Sequence, residues 1–209
     1  MQMRISALLP FIAAMAIVVA ASNVLVQYPF DHFGMGEILT WGAFTYPVAF
    51  LVNDLTNRRF GVAAARKVVL AGFVLAVLLS VWLATPRIAI ASGSAFLVAQ
   101  MLDASVFNSL RKAAWWRAPF LSTLIGSAID TAIFFSLAFA AKFAFIDSLF
   151  GMEDGSLAFP ATLFGADVPL WVSLATGDFA VKIAIGLAML APYGALLAWL
   201  KPVDHAETA

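Results

Sequence analysis

The 209 residues include no cysteine. That removes disulfides, thiolate nucleophiles and cysteine-ligated zinc together. Histidine is nearly missing as well. His32 and His205 both lie in polar flanks and are too few for a histidine-rich metal centre, so neither metal nor cofactor is expected. Charge is the third scarcity: charged residues make up 11% of the chain, against about 25% in ordinary soluble domains. Such a chain cannot cover a water-facing surface with charge. Its 12 basic and 12 acidic residues cancel, and without a basic excess no nucleic-acid partner is expected.

What is present is apolar: 63% of the residues. The chain reads as an integral membrane protein. A membrane helix needs about 20 mostly apolar residues, because each rises about 1.5 Å through roughly 30 Å of hydrocarbon. Six stretches qualify, near 5–27, 36–54, 64–84, 88–109, 118–143 and 171–200. The second is the shortest and contains Pro47, which removes a backbone donor and predicts a kink. Long apolar runs exclude a β-barrel, whose strands alternate over about ten residues. The expectation is an all-α bundle of six transmembrane helices forming a single membrane domain over 1–209. The N-terminal run resembles a signal peptide, with Arg4 before it and small residues at Ala20 to Ser22. Its continuation to Val26 favours a retained first helix.

Basic residues set orientation. Connection 54–67 holds Arg58, Arg59, Arg66 and Lys67, and connection 110–117 holds Arg111, Lys112 and Arg117. With Arg4 and Lys201 at the ends, nine fall on one side, against Arg87 and Lys142 on the other. Both termini are therefore expected in the cytoplasm, with six spans between them. Segment 144–170 becomes an outer loop, acidic through Asp147, Glu153, Asp154 and Asp167, with room for one short surface helix.

Four ionisable residues fall inside the spans: Asp103, Asp130, Asp178 and Lys182. Asp54 and Arg87 stand at span ends, Asp54 inside and Arg87 outside. A charge near the bilayer centre costs roughly 2.5–3.5 kcal/mol even on lenient scales, so these residues face the bundle interior and mark a pathway or a site. Asp103 shares a helical face with Ser92, Phe96, Gln100 and Phe107, and Asp130 shares one with Gly126 and Phe134. Gly126 is small enough for a helix or ligand to approach closely. Asp178 and Lys182 are four apart and can pair within one helix, in the outer half at a depth near Arg87. The segments from Gln100 to Phe107 and from Ser127 to Phe134 echo each other around their aspartates, a hint of the inverted arrangement that transporters use. Structural readings stand beside these. Asp178 with Lys182 could be an ion pair that only holds helices, Asp103 and Asp130 hydrogen-bonding struts, Arg87 an outer-leaflet anchor, and Asp54 with Arg58 a helix-end cap. Trp115 and Trp116 read as interface-belt residues.

Enzyme readings find little support. Ala175-Thr176-Gly177-Asp178 lacks the first glycine of an intramembrane aspartyl protease pattern. No serine-protease context and no glycine-rich phosphate loop occur.

Several segments together resemble one family. They are Asp54-Leu55-Thr56-Asn57-Arg58-Arg59-Phe60-Gly61, Arg87-Ile88-Ala89-Ile90-Ala91-Ser92, and Gln100-Met101-Leu102-Asp103 with Val106-Phe107-Asn108 and Leu110-Arg111. Trp115-Trp116-Arg117-Ala118-Pro119, Ser122-Thr123-Leu124, Asp130-Thr131, Phe134-Phe135, Asp178 to Lys182 and Pro192-Tyr193-Gly194 complete the series. From about residue 40 to 200 the chain resembles the VUT family, the YhhQ-type queuosine precursor transporters, in what looks like the proteobacterial branch. Many members carry Glu at Arg58 and Tyr at Phe60. The resemblance implies a multi-pass protein of the bacterial inner membrane that imports a small molecule, chiefly 7-cyano-7-deazaguanine, for tRNA modification. The alternatives are a substrate-binding membrane subunit of a multi-component ATP-driven importer, or a carrier for another purine-like or small metabolite. Besides the substrate, membrane lipid and a second copy in a homodimer are the partners considered.

The residues are chemically compatible with that cargo. A deazaguanine presents two N–H donors on one edge, which a carboxylate accepts in bidentate fashion. Asp130 is the first candidate reader and Asp103 the second. Gln100 and Asn23 suit the carbonyl and ring nitrogens, and Phe96, Phe134 or Trp41 could stack on the flat ring. Lys182 or Arg87 could meet the carbonyl or nitrile, or neutralise Asp178. A desolvated carboxylate at Asp103 or Asp130 could also carry a proton.

Overall fold

Residues 5–32 and 39–198 are described by a computed structural model. Arg4, the start of the expected second span at 36–38, residues 199 and 200, Lys201 and His205 lie outside them. In chain order the helices are α1 (Ile5–Leu25), α2 (Gly42–Thr45), α3 (Pro47–Phe60), α4 (Val62–Leu83), α5 (Pro86–Leu110), α6 (Arg117–Phe139), α7 (Phe145–Leu149) and α8 (Leu170–Leu197). Five of them, α1, α4, α5, α6 and α8, are long and apolar enough to cross a membrane. They are apolar nearly all round, as helices are that face lipid on one side and other helices on the other.

The second expected span differs. Its helix breaks at Tyr46 and restarts at Pro47, which occupies the first turn of α3 where a missing N–H does no harm. Tyr46 keeps helical angles (φ −57°, ψ −41°), so the axis bends without leaving the helical region. Beyond the break, α3 runs to Phe60, past the limit of 54 read from apolarity. Its polar residues Asn53, Asp54, Thr56 and Asn57 are all buried. The amide donors of the two asparagines find carbonyls on α5: Asn53 Nδ2 donates to Gln100 O at 2.9 Å, and Asn57 Nδ2 to Ala104 O at 2.7 Å, while Thr56 Oγ1 donates to Val52 O of its own helix at 2.6 Å. Asp54 is therefore not a residue at a span end. It sits in mid-helix, enclosed by the bundle. Gly61, at φ +85°, then makes the turn into α4.

The long helices alternate in direction, so connections collect at two ends. At one, Arg58 Nη1 donates to Arg111 O at 2.8 Å and Arg111 Nη2 to Arg58 O at 2.5 Å, which ties the end of α3 to the turn after α5. Trp115 packs there against Gly194, where a Cβ would come within 3.1 Å of the ring. Arg59, Arg66, Lys67, Lys112 and Arg117 belong to the same end. The opposite end carries segments 26–32, 39–41, 84–85 and 140–169.

Close helix approach depends on small residues. A Cβ on Gly72 of α4 would lie 2.6 Å from Met15 Cγ of α1 and 3.3 Å from Phe96 Cζ of α5. A Cβ on Gly126 of α6 would lie 2.7 Å from Phe50 Cε1 and 3.4 Å from Asp103 Cβ. Gly126 thus admits helices α3 and α5. Around Gly72 the core is Met15, Val19, Val52, Val68, Val69, Ala76 and Phe96.

Segment 140–169 holds more structure than the single surface helix expected of it. A 3-10 turn (Ala141–Phe143) and α7 precede an antiparallel hairpin of β1 (Pro160–Leu163) and β2 (Ala166–Pro169), a small exception to the all-α expectation. Phe164 (φ +50°) and Gly165 (φ +83°) form its two-residue turn. The segment is fastened by Arg87, which is buried and therefore not a lipid-facing anchor. Its guanidinium meets Asp147 Oδ2 at 2.6 Å, Leu137 O at 2.8 Å, Ala140 O at 2.7 Å and Ser156 Oγ at 3.1 Å. Asp154 lies 3.6 Å from it, and the Ser156 hydroxyl and amide hold that carboxyl below its ordinary range. That contribution is present at neutral pH and is lost as acid protonates Asp154.

Arg87→Met leaves the buried Asp147 carboxylate without its cation and with only the Gly155 amide at 3.2 Å, which costs about 3–5 kcal/mol where one member of a buried pair is removed. The expected result is a lowered thermal midpoint in detergent and faster proteolysis within 141–156. An unchanged midpoint and cleavage rate would show that this clasp does not hold the loop.

Candidate functional site

A cavity of about 450 Å3 opens at the end of the bundle that carries segment 140–169. Val26, Gln27, Leu39, Thr40, Leu83 and Ala84 form its rim, and Phe134, Phe135 and Phe139 of α6 line one wall. Tyr46, Asp130, Asp178 and Lys182 stand deeper. Its size falls within the roughly 300–1,000 Å3 of small-molecule sites.

The charged residues there come from three elements. Asp130 and Thr131 are neighbours on α6, Asp178 and Lys182 share a face of α8 at a four-residue spacing, and Tyr46 stands at the α2–α3 break. Lys182 Nζ lies 2.7 Å from Asp130 Oδ2, 2.5 Å from Asp178 Oδ2 and 3.2 Å from Thr131 Oγ1. These three contacts use all three ammonium donors. Thr131 Oγ1 donates in turn to Asp178 Oδ2 at 2.9 Å, and the Tyr46 hydroxyl to Asp130 Oδ1 at 3.0 Å. The ammonium also lies 5.5 Å from the centre of the Tyr46 ring, within reach of a cation–π attraction. Two carboxylates facing one ammonium leave a single negative charge. Both oxygens of Asp130 are engaged, whereas Asp178 Oδ1 accepts nothing among the described residues and its side chain is 15% exposed. Asp178 is thus the carboxylate with an acceptor free at the cavity.

The pairing of Asp178 with Lys182 follows from sequence spacing, but its depth does not match the expectation. The pair meets Asp130 at the foot of the cavity, while Arg87 is engaged with Asp147 at the bundle's end. Arg87 neither neutralises Asp178 nor lines the cavity.

A second polar cluster lies elsewhere, between α3, α5 and α6. Asn53 Nδ2 donates to Asp103 Oδ2 at 2.9 Å and Ser122 Oγ to Asp54 Oδ1 at 3.3 Å, and the two carboxyls are within hydrogen-bonding reach of each other. Asp103 Oδ1, Asn53 Oδ1, both polar atoms of Gln100 and Ser127 Oγ have no hydrogen-bond partner among the described residues. Each unsatisfied buried group costs about 1–3 kcal/mol. Phe50 touches both neighbourhoods, meeting the Tyr46 ring edge-on at 6.5 Å and packing under Gly126 beside Asp103. The echo between α5 and α6 thus places one aspartate in each cluster.

Of the residues singled out from sequence, the structure brings Asp130, Asp178, Lys182, Asn23 and Phe134 together around the cavity. Asn23 is already engaged, donating to Val19 O at 2.9 Å and accepting from Ser80 Oγ at 3.0 Å. Asp103 and Gln100 belong to the second cluster. Phe96 is buried in the core, its ring 6.1 Å from that of Tyr46. Trp41 packs on Phe30, Phe44 and His32 outside the cavity lining. Tyr46, Thr131, Phe135 and Phe139 went unselected. Tyr46 could have been found as the polar aromatic directly before the helix-breaking Pro47, and Thr131 as the donor directly after Asp130.

Comparison with known proteins places the chain among transporters. The family model described as putative vitamin uptake transporter matches residues 40–85 and 78–196. A queuosine precursor transporter of Escherichia coli (strain K12) is 34% identical over 203 residues, covering 87% of this chain and 82% of the relative. A probable queuosine precursor transporter of Haemophilus influenzae is 36% identical over 212 residues, covering 86% and 82%. No solved structure matches the chain.

Lys182→Met strips the counter-charge from two enclosed carboxylates, a loss of about 3–5 kcal/mol by the same reasoning as for any broken buried pair. A thermal scan should show a lowered midpoint, largely recovered when Asp130→Asn and Asp178→Asn are added. Equal midpoints for wild type and the single variant would mean that the ammonium is not what holds these helices together.

Proposed function

The chain belongs to the putative vitamin uptake transporter family, a membrane transport protein rather than an enzyme, and we propose that it imports a queuosine precursor, chiefly 7-cyano-7-deazaguanine, into the bacterial cytoplasm. Its two relatives are named for queuosine precursor transport. The observation that carries the reading is the cavity foot, where Asp178 offers a free carboxylate oxygen beside a fixed ammonium. The ring N–H and exocyclic amine of a deazaguanine donate towards that oxygen, strengthened by the cluster's single negative charge. The carbonyl or nitrile lies on the Lys182 side, attracted by the ammonium's charge, since its three donors and the Tyr46 hydroxyl are already engaged. Phe134, Phe135 and Phe139 supply flat apolar faces for the ring, which contact it without discriminating among heterocycles.

The proposed topology has six spans, with α2 and α3 together forming the broken second one. Both termini lie in the cytoplasm and the basic end of the bundle faces inward, as the charge asymmetry directs. The cavity then opens outward, and alternating access would expose the same foot to the cytoplasm. The break at Tyr46 and Pro47 is suited to that change. A discontinuous helix can bend there, and Tyr46 couples the bend to Asp130.

The test uses a strain that makes no queuosine precursor and lacks its own transporter, supplied with 7-cyano-7-deazaguanine. Expression of the chain should restore queuosine to tRNA, and Asp178→Asn, present in the membrane at normal abundance, should reduce restoration at least tenfold. No restoration by the wild-type chain would overturn the substrate. Full restoration by Asp178→Asn would remove that residue from base recognition.

A further inference from the structure

We propose that Asp54 and Asp103 form a proton-carrying carboxyl pair, separate from the cargo cavity, that couples uptake to inward proton movement. The proposal rests on the transport reading above and adds its driving force.

The two buried acidic clusters differ in how charge is compensated. Asp130 and Asp178 share the Lys182 ammonium in direct contact. Asp54 and Asp103 have no such partner: no ammonium or guanidinium contacts either carboxyl among the described residues. The ionisable groups facing them are Arg58 on α3 and Tyr193 on α8, with Arg111 beyond. Arg58 is bonded elsewhere, to the Tyr193 hydroxyl at 3.0 Å and Arg111 O at 2.8 Å, and Arg111 to Arg58 O. The remaining neighbours are neutral: Asn53, Gln100, Ser122 and Ser127. Two carboxyls within hydrogen-bonding reach of each other, enclosed and without a cation, need a proton as the donor between them.

Three further observations point to a working site rather than a strut. Asp103 Oδ1 and both polar atoms of Gln100 are fully buried and unpartnered, so acceptor and donor capacity is held in reserve beside the pair. A small pocket of about 10 Å3, close to the size of one water, is lined by Asp54, Pro47, Leu51, Pro119, Thr123 and Tyr193. It gives Asp54 a neighbour through which a proton can pass towards the basic end. Finally, Pro47 lines this pocket while the preceding Tyr46 lines the cargo cavity. One bend in the chain therefore touches both.

The step balances simply. On loading, hydronium gives its proton to a carboxylate oxygen of the pair, forming one O–H bond and leaving water. On release that bond breaks to water, which departs as hydronium, and the electron pair stays on the carboxylate.

The purified full chain in liposomes tests this with labelled 7-cyano-7-deazaguanine. Exchange between external and internal base reads cargo recognition alone, and accumulation under an inward proton gradient reads coupling. A one-unit pH gradient supports up to about tenfold accumulation at one proton per base. Wild type should exchange and accumulate. Asp54→Asn should exchange within twofold of wild type yet fail to accumulate above equilibrium, because the new amide donates to Asp103 and replaces the proton. The pair is overturned if wild type exchanges but accumulates equally without a proton gradient, or under a sodium gradient alone, or if Asp54→Asn accumulates like wild type. If wild type does not exchange at all, the cargo reading fails and infrared spectroscopy decides the pair separately. The pair stands if wild type at neutral pH shows a protonated-carboxyl stretching band that Asp54→Asn/Asp103→Asn lacks. It falls if wild type has no such band. The same measurement on wild type decides it should Asp54→Asn not fold.

Discussion

The grip of the Lys182 ammonium on Asp130 and Asp178 is the interaction on which the interior depends. In a bundle whose surroundings are apolar, either carboxylate alone would carry a heavy desolvation cost. Bringing one cation between them, and using each of its three donors, makes the arrangement tolerable and at the same time rigid. It fixes α6 against α8, and through the Tyr46 hydroxyl it fixes the bend between α2 and α3. Because two anions share one cation, the site keeps a negative charge and a free acceptor oxygen on Asp178. Structural cohesion and readiness for a donor-bearing ligand thus come from the same atoms.

The α3 helix is the second organising element. It is the polar helix of the molecule, and it is enclosed by the apolar ones. Asn53 and Asn57 reach across to backbone carbonyls of α5, which locks the register of the two helices. Gly126 lets Phe50 of α3 lie close against α6, with Asp103 of α5 beside it. Tyr46, directly before α3, lines the cavity, and the middle of α3 carries Asp54 of the Asp54–Asp103 cluster. A movement of this one helix would therefore be felt at both places, which is the geometry that coupling requires.

At the opposite end, Arg87 fastens the connection between α6 and α8. A charged residue at a span boundary usually reads as an anchor to lipid headgroups. Here four of its five donors are spent on Asp147, Ser156 and two backbone carbonyls, so the loop, not the membrane, is its partner. The aromatic wall of the cavity lies on the same α6 whose end Arg87 caps, and holding that end steady keeps Phe139 and Phe134 in place.

The membrane character, five of the helices, the charge asymmetry between the ends and the pairing of Asp178 with Lys182 were determined by the sequence alone. Each depends on local composition or on the four-residue repeat of a helix, which a linear pattern contains. The family resemblance from residue 40 onward was legible for the same reason, in motifs of a few residues. Tertiary structure decided the rest. Apolarity ends the second span at Asp54, but polar α3 continues inside because groups on α5 and α6 replace water as its partners. Spacing cannot tell which aspartate meets which cation. Asp130 joins Lys182 across two helices, Arg87 goes to Asp147, and Asp103, which looked equivalent to Asp130 in its sequence context, stands with Asp54. Those choices depend on the crossing and rotation of helices distant in the chain, and in an apolar interior a carboxylate's role follows from the one charge or donor that packing brings against it.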